Sequence, residues 1–180
     1  MRKIATYLNA STNWRDRIVL NPDTGNKVKV KSLPKEQQER YNPNKITKNN
    51  IADEAKKGNA NILLHPHATK PISSDTKTTP LHLLALAGNE HVLHHPKVDS
   101  LKGEDGNTPL HYLAGVGSKK ALNHPSLAKV KNRFDETPLH IMSNYGHEIA
   151  KKHPEFKNIK DNEKNTPDDY FGKKNDMMAY

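Results

Sequence analysis

Cysteine is absent from the 180 residues, which excludes a disulfide framework, thiolate metal sites and thiol nucleophiles. Hydrophobic residues are scarce at 33%, which is thin for a globule built on one deep core. Nothing approaches the roughly 20 consecutive apolar residues a membrane-spanning helix needs. The opening MRKIATYLNASTNW carries charge but no apolar run of the kind a signal peptide requires. The expectation is a cytoplasmic protein without a membrane partner. Glycine-rich phosphate loops, nucleophile elbows and paired carboxylates at a plausible site are missing as well, Asp168 and Asp169 reading as solvation of a helix end. The chain is therefore expected to have no catalytic residues, no cofactor and no small-molecule substrate.

What is present begins with charge. The formal net charge is +9, and it is concentrated at the front. Residues 1–50 hold 11 Lys and Arg against 4 Asp and Glu, whereas residues 51–180 hold 18 against 16. Any general electrostatic role thus belongs to the first quarter. There, RDRIVLNPDTGNKVKVKSLPKEQQERYNPN reads as a small β-hairpin. Arg17 to Leu20 and Lys27 to Lys31 alternate around an Asn-Pro-Asp-Thr-Gly turn, with Lys27, Lys29 and Lys31 on one face and Val28 and Val30 on the other. A lone hairpin is marginal in water, so its valine face should dock, with Trp14 and Tyr7 as candidate helpers. LPKEQQERYNPNK follows as a short helix or linker.

From residue 49 onward the chain repeats. TTPLHLLALAG, NTPLHYLAGVG, ETPLHIMSNYG and NTPDDYFGK align so that Thr79, Thr108, Thr137 and Thr166 stand 29 residues apart. Periodicity of this length signals stacked units that bury their apolar faces only against neighbours. Each Thr caps a helix and each Pro occupies its first position. Leu81, Leu84 and Ala85, recurring as Leu110, Leu113 and Ala114, supply the apolar stripe. Gly88, Gly117 and Gly146 end these helices. A second short helix follows, as in EHVLHH or KKALNH, and a His-Pro pair stops it. An extended piece, KVDSL or SLAKV, then leads to a polar turn.

TPLH opening a helix-turn-helix unit resembles the ankyrin repeat closely over residues 79–146. The resemblance implies a mainly α fold, an ankyrin-type helix-turn-helix solenoid with the β-hairpin as an N-terminal extension. The period departs from the family's usual 33; the four missing residues, about one helical turn, shorten the second helix. The expected organisation is a basic segment over 1–48 and a repeat array over 49–180. The array divides into a partial capping repeat (49–78), full repeats (79–107, 108–136 and 137–165) and a C-terminal cap (166–180) in which Asp168 and Asp169 replace Leu-His.

All 11 histidines lie in the array. The rows His82/His111/His140 and His95/His124/His153 are one repeat apart. Packed helices stand about 8–10 Å apart, whereas zinc needs its ligands at about 2.0–2.1 Å. The TPLH histidines therefore read as hydrogen-bonding links between a unit and its loop, and neither they nor the His91, His94, His95 cluster is read as a metal site.

By the same resemblance, a protein partner binds through the loop tips and the exposed side of the first helices. The corresponding tips are Asp75 to Thr78, Glu104 to Asn107, Arg133 to Glu136 and Asn162 to Asn165. Candidate contacts are Glu104, Asp105, Arg133, Phe134, Asp135 and Asn162 on the tips. Tyr112, Val116 and Tyr145 join them on the helices, with inter-repeat packing as the alternative for Tyr112. Aromatic residues and Arg are common interface anchors. Lys102, Lys131 and Lys160, each after an apolar residue, form a basic edge for an acidic partner or simply a solvated face. The competing function is a nucleic-acid-associated adaptor that uses Arg15, Arg17, Lys27, Lys29 and Lys31 on phosphates. NPDTGNKVKV also resembles short hairpins of large DNA viruses and phages, which points toward a phage or bacterial effector or inhibitor.

Overall fold

A computed structural model of the chain describes residues 18–20, 27–32, 34–35 and 46–171. Within them the chain is mainly helical, with five α-helices: α1 (Ile51–Lys56), α2 (Pro80–Leu86), α3 (Pro109–Gly115), α4 (Pro138–Asn144) and α5 (Pro167–Tyr170). Two three-residue strands, β1 (Ile18–Leu20) and β2 (Lys27–Lys29), pair antiparallel with Val19 opposite Val28. Arg15, Arg17, Tyr7, Trp14 and the segment from Glu36 to Asn44 lie outside the described residues. None of the described helices is long and apolar enough to cross a membrane.

The Thr-Pro pairs start helices because the threonine remains extended while the proline's missing N–H falls where no intrahelical bond is due. Thr79, Thr108 and Thr137 each form a capping box with the histidine three residues on. In α5 the partner is Asp169, whose Oδ2 accepts from the Thr166 N–H and hydroxyl, both at 2.7 Å. An ionised carboxylate only accepts, so Asp169 supports the cap without offering a donor to a further unit. Replacing Asp169 with Ala should cost about 1 kcal/mol, read as a lower urea midpoint at unchanged slope.

At the other end of the helices, Gly58, Gly88, Gly117 and Gly146 adopt φ between +70° and +76°, and the chain reverses. The short second helix of each unit is of 3-10 type: Ala60–Leu64, Glu90–His94, Ala121–Asn123 and Glu148–Lys152. The following proline holds His65, His95, His124 and His153 extended, at ψ of 130–135°. That leaves five residues or fewer per segment, which tighter i→i+3 bonds complete.

Beyond the proline, KVDSL and SLAKV are hydrogen-bonded turns rather than extended pieces. Leu101 N–H donates to Lys97 O at 3.1 Å, and Val130 N–H donates to Ser126 O at 3.1 Å. The histidine before each proline stabilises this turn. Its Nδ1 accepts the N–H two residues on, from His67, Lys97, Ser126 and Glu155 at 3.1–3.2 Å. The His-Pro pair is thus both a stop and a cap.

One apolar cluster runs through every unit. Leu81, Leu84, Leu110, Leu113, Leu139 and Met142 are completely buried on the helices, joined by Ile62, Val92, Ala121 and Ala150 from the 3-10 segments. Each helix packs chiefly on the helix of the next unit. Ser143 stands where earlier units carry Ala85 and Ala114, and its hydroxyl is satisfied by Leu139 O at 3.0 Å. The residues after Gly88, Gly117 and Gly146 tie units together. Asn89 donates to Gly58 O at 2.8 Å, Ser118 to Glu90 Oε1 at 2.7 Å, and His147 Nε2 to Gly115 O at 2.7 Å.

Candidate partner-binding site

The loops between units are held from below by the TPLH histidines. In α3, His111 Nδ1 lies 3.0 Å from the Thr108 N–H nitrogen and 2.9 Å from its hydroxyl. A backbone N–H can only donate, so Nδ1 is bare and the ring proton sits on Nε2. That Nε2–H donates to Glu136 O at 3.1 Å, and His140 repeats the bond to Asn165 O at 3.2 Å. His82 instead reaches Leu101 O at 3.1 Å. All three are buried. Burial drives the pKa of His82 and His111 down to about 4 and lowers that of His140. The expected link between unit and loop is therefore a specific neutral tautomer.

The three loops over 103–107, 132–136 and 161–165 share one conformation. Each closes with an N–H···O bond across the tip, at 2.8, 2.9 and 3.0 Å, and each has a residue with positive φ: Gly106 at 74°, Asp135 at 60° and Lys164 at 69°. Glycine enters this region at no steric cost and Asp tolerates it, while Lys164 carries a strain of about 1–3 kcal/mol. Asn132 Oδ1 accepts from the N–H groups of Phe134 and Glu136, and Asp161 Oδ1 does the same for Glu163 and Asn165. Burial pushes the Asp161 pKa up, but bonds from Tyr170 and Asn165 outweigh it and leave the carboxyl below its usual range. The Asp75 to Thr78 tip is built differently, closing by Ile72 N–H to Thr78 O at 2.9 Å.

Successive tips are bonded to one another. Arg133 N–H donates to Asp105 O at 2.9 Å, and Asn162 N–H donates to Phe134 O at 3.2 Å. A Cβ on Gly106 would lie only 2.9 Å from the Arg133 nitrogen, so this approach of two backbones is why the position carries no side chain. The Arg133 guanidinium sits 2.8 Å from Asp105 Oδ1 and 4.6 Å above the Phe134 ring. Exposed ion pairs contribute little to stability, about 0–1 kcal/mol. The pair and the ring contact orient Arg133 and Phe134 on the surface, where Phe134 is 36% exposed.

The other candidates fall in different places. Glu104, Asp135 and Asn162 are exposed on the same ridge, and Asp135 pairs with Lys131 at 3.3 Å. Val116 is exposed at the end of α3. Tyr145 is half-buried at the end of α4. Tyr112 packs edge-on against His82, with ring centroids 5.7 Å apart, as Tyr170 packs on His140 at 5.8 Å. In this position Tyr112 covers the histidine link of the preceding unit. Lys102 and Lys160 are exposed without a carboxylate partner among the described residues, and Lys29 and Lys31 are exposed near β2. No three metal-ligating side chains among the described residues stand together.

The sequence reading did not pick out Asn132 and Asp161, which shape the tips, or the fastening of tip to tip. Their signal was present as Gly103, Asn132 and Asp161 at one register position, a place for a small or turn-forming residue. A scan against protein-family models finds no match for the chain, and a search of curated proteins finds none either.

Proposed function

We propose that the chain is an ankyrin-type solenoid with a small N-terminal β-hairpin extension, and that it is a non-enzymatic module gripping a partner protein along its tips. The observation that carries this reading is the ridge from Asp105 to Asn162. Three loops of one conformation are fastened to each other through the backbone, so their outward side chains are held before a partner arrives. Preorganised side chains lose less entropy on binding, and an Arg stacked beside an exposed Phe is a typical anchor. The outward residues of the ridge differ from unit to unit, whereas the Thr-Pro caps and the leucines that open the helices repeat.

The test compares the full chain with the Arg133→Ser, Phe134→Ser double variant in nuclease-treated pull-downs from lysate of the source organism. Both side chains are exposed, so the variant should keep the wild-type circular dichroism spectrum and lose its partner, with affinity falling at least tenfold. Equal recovery of every protein by both forms would remove the ridge as the binding site. The nucleic-acid reading of the front segment rests on the exposure of Lys29 and Lys31, and it requires binding that disappears with nuclease.

A further inference from the structure

The His-Pro turns carry a second surface that the ridge does not use. Between the turns of successive units lies a cleft of about 360 Å³, bordered by Asn123, His124, Lys129, Lys152, His153 and Glu155. Because Nδ1 of His124 and of His153 already accepts a backbone N–H, the neutral rings carry their proton on Nε2 as a donor. Lys129 and Lys152 are exposed, and neither has an ion-pair partner among the described residues. The same holds for Lys97 and Lys157 on the turns of the neighbouring units. Two nearby carboxylates oppose them: Glu155 at the cleft and Asp99, which accepts from the Ser126 hydroxyl at 2.6 Å. Lys120 and Lys151 are already neutralised by Glu90 and Glu148.

We propose that this strip binds the phosphate backbone of a nucleic acid, with one phosphate received in the cleft between Lys129 and Lys152. Two ammonium groups, two imidazole N–H groups and the Asn123 amide suit an anion with several acceptor oxygens. Lys97, Lys129 and Lys157 stand at different register positions, but one falls on each of three successive His-Pro turns, and turns about 10 Å apart space these charges along the stack as a chain of anions requires. A protein partner is less well matched. Protein interfaces draw most of their energy from buried aromatic and large apolar anchors; the apolar lining of the cleft is Leu122, Pro125, Ala128 and Pro154, without an aromatic ring, and the exposed large apolar residues Leu64, Ile72, Val116 and Phe134 stand outside it. Backbone binding to nucleic acid needs cations and donors alone.

The experiment measures binding of a short fluorescein-labelled DNA strand to the full chain as salt is varied, for wild type and three charge-reversed doubles. Lys129→Glu with Lys152→Glu should weaken binding at least tenfold and lower the slope of log affinity against log salt by about two. Lys102→Glu with Lys160→Glu, and Lys29→Glu with Lys31→Glu, change the net charge equally and should each have less than half that effect in log affinity. Equal losses in all three would mean attraction to net charge alone and would overturn the site. So would a loss confined to Lys29 and Lys31, absence of DNA binding, or competition by polyglutamate as effective as DNA at equal charge. The last outcome would assign the strip to an acidic polypeptide.

Discussion

Lowering the pH from neutral to about 4 is expected to unfold the stack cooperatively, seen as loss of helical circular dichroism. In the unfolded chain an imidazole takes up its proton near 6.5, whereas burial keeps His82 and His111 neutral until about 4. Between those values the unfolded state binds more protons, so stability falls as the pH falls through this window. A depression of this size corresponds to about 3 kcal/mol for each ring, and His140 adds to it in the same direction. Two such contributions are comparable to the whole stability of an ordinary domain, about 5–15 kcal/mol. Protonation also removes the acceptor at Nδ1, so the Thr N–H bonds break in the same step.

Glu136 acts in the opposite sense. Burial raises its pKa, so acid relieves the cost of its buried charge and offsets part of the loss. The carboxylates of Glu54, Glu90 and Asp161 have lowered pKa values, so their stabilisation begins to be lost near the usual carboxylate values, at the acid end of the histidine window, and continues to fall below it. A helical signal unchanged down to pH 4 would show that the buried rings are not neutral links.

The second large effect is expected from Gly117→Ala, compared with Gly88→Ala. Both glycines have φ of +75°, so both substitutions carry the left-handed cost of about 1–2 kcal/mol. At Gly88 an added Cβ meets nothing within 4 Å, whereas at Gly117 it would stand 2.7 Å from two atoms of the His147 ring. That ring is half-buried and bonded to Gly115 O, and moving it breaks a link between units. Gly88→Ala should therefore cost about 1–2 kcal/mol and Gly117→Ala about 2–4 kcal/mol, read from urea midpoints. Equal costs would show that His147 gives way freely and that its bond contributes nothing measurable.

The helix starts, the glycine reversals and the apolar stripe were all legible in the sequence because each is set within a few residues. A threonine before a proline cannot continue a helix backward, and a glycine can adopt the left-handed geometry that ends one. The 29-residue spacing then carried the same reading from unit to unit. The second segment was legible as a place but not as a type. Whether five residues before a proline form an α or a 3-10 turn depends on how Val92 or Ala150 must reach the core, and neither residue's neighbours in the chain state that.

The candidate site divides in the same way. Spacing and composition alone identify which residues occupy the tips, which histidines recur and where Lys and Arg outnumber Asp and Glu. That His111 grips Glu136, that Arg133 is fastened to Asp105, that Tyr112 covers His82, and that Lys129 and Lys152 border one cleft emerges only in the folded chain. The physical reason is separation along the chain. Those partners lie 23 to 30 residues apart, so no local preference brings them together, and their meeting follows from the stacking of whole units through the shared core.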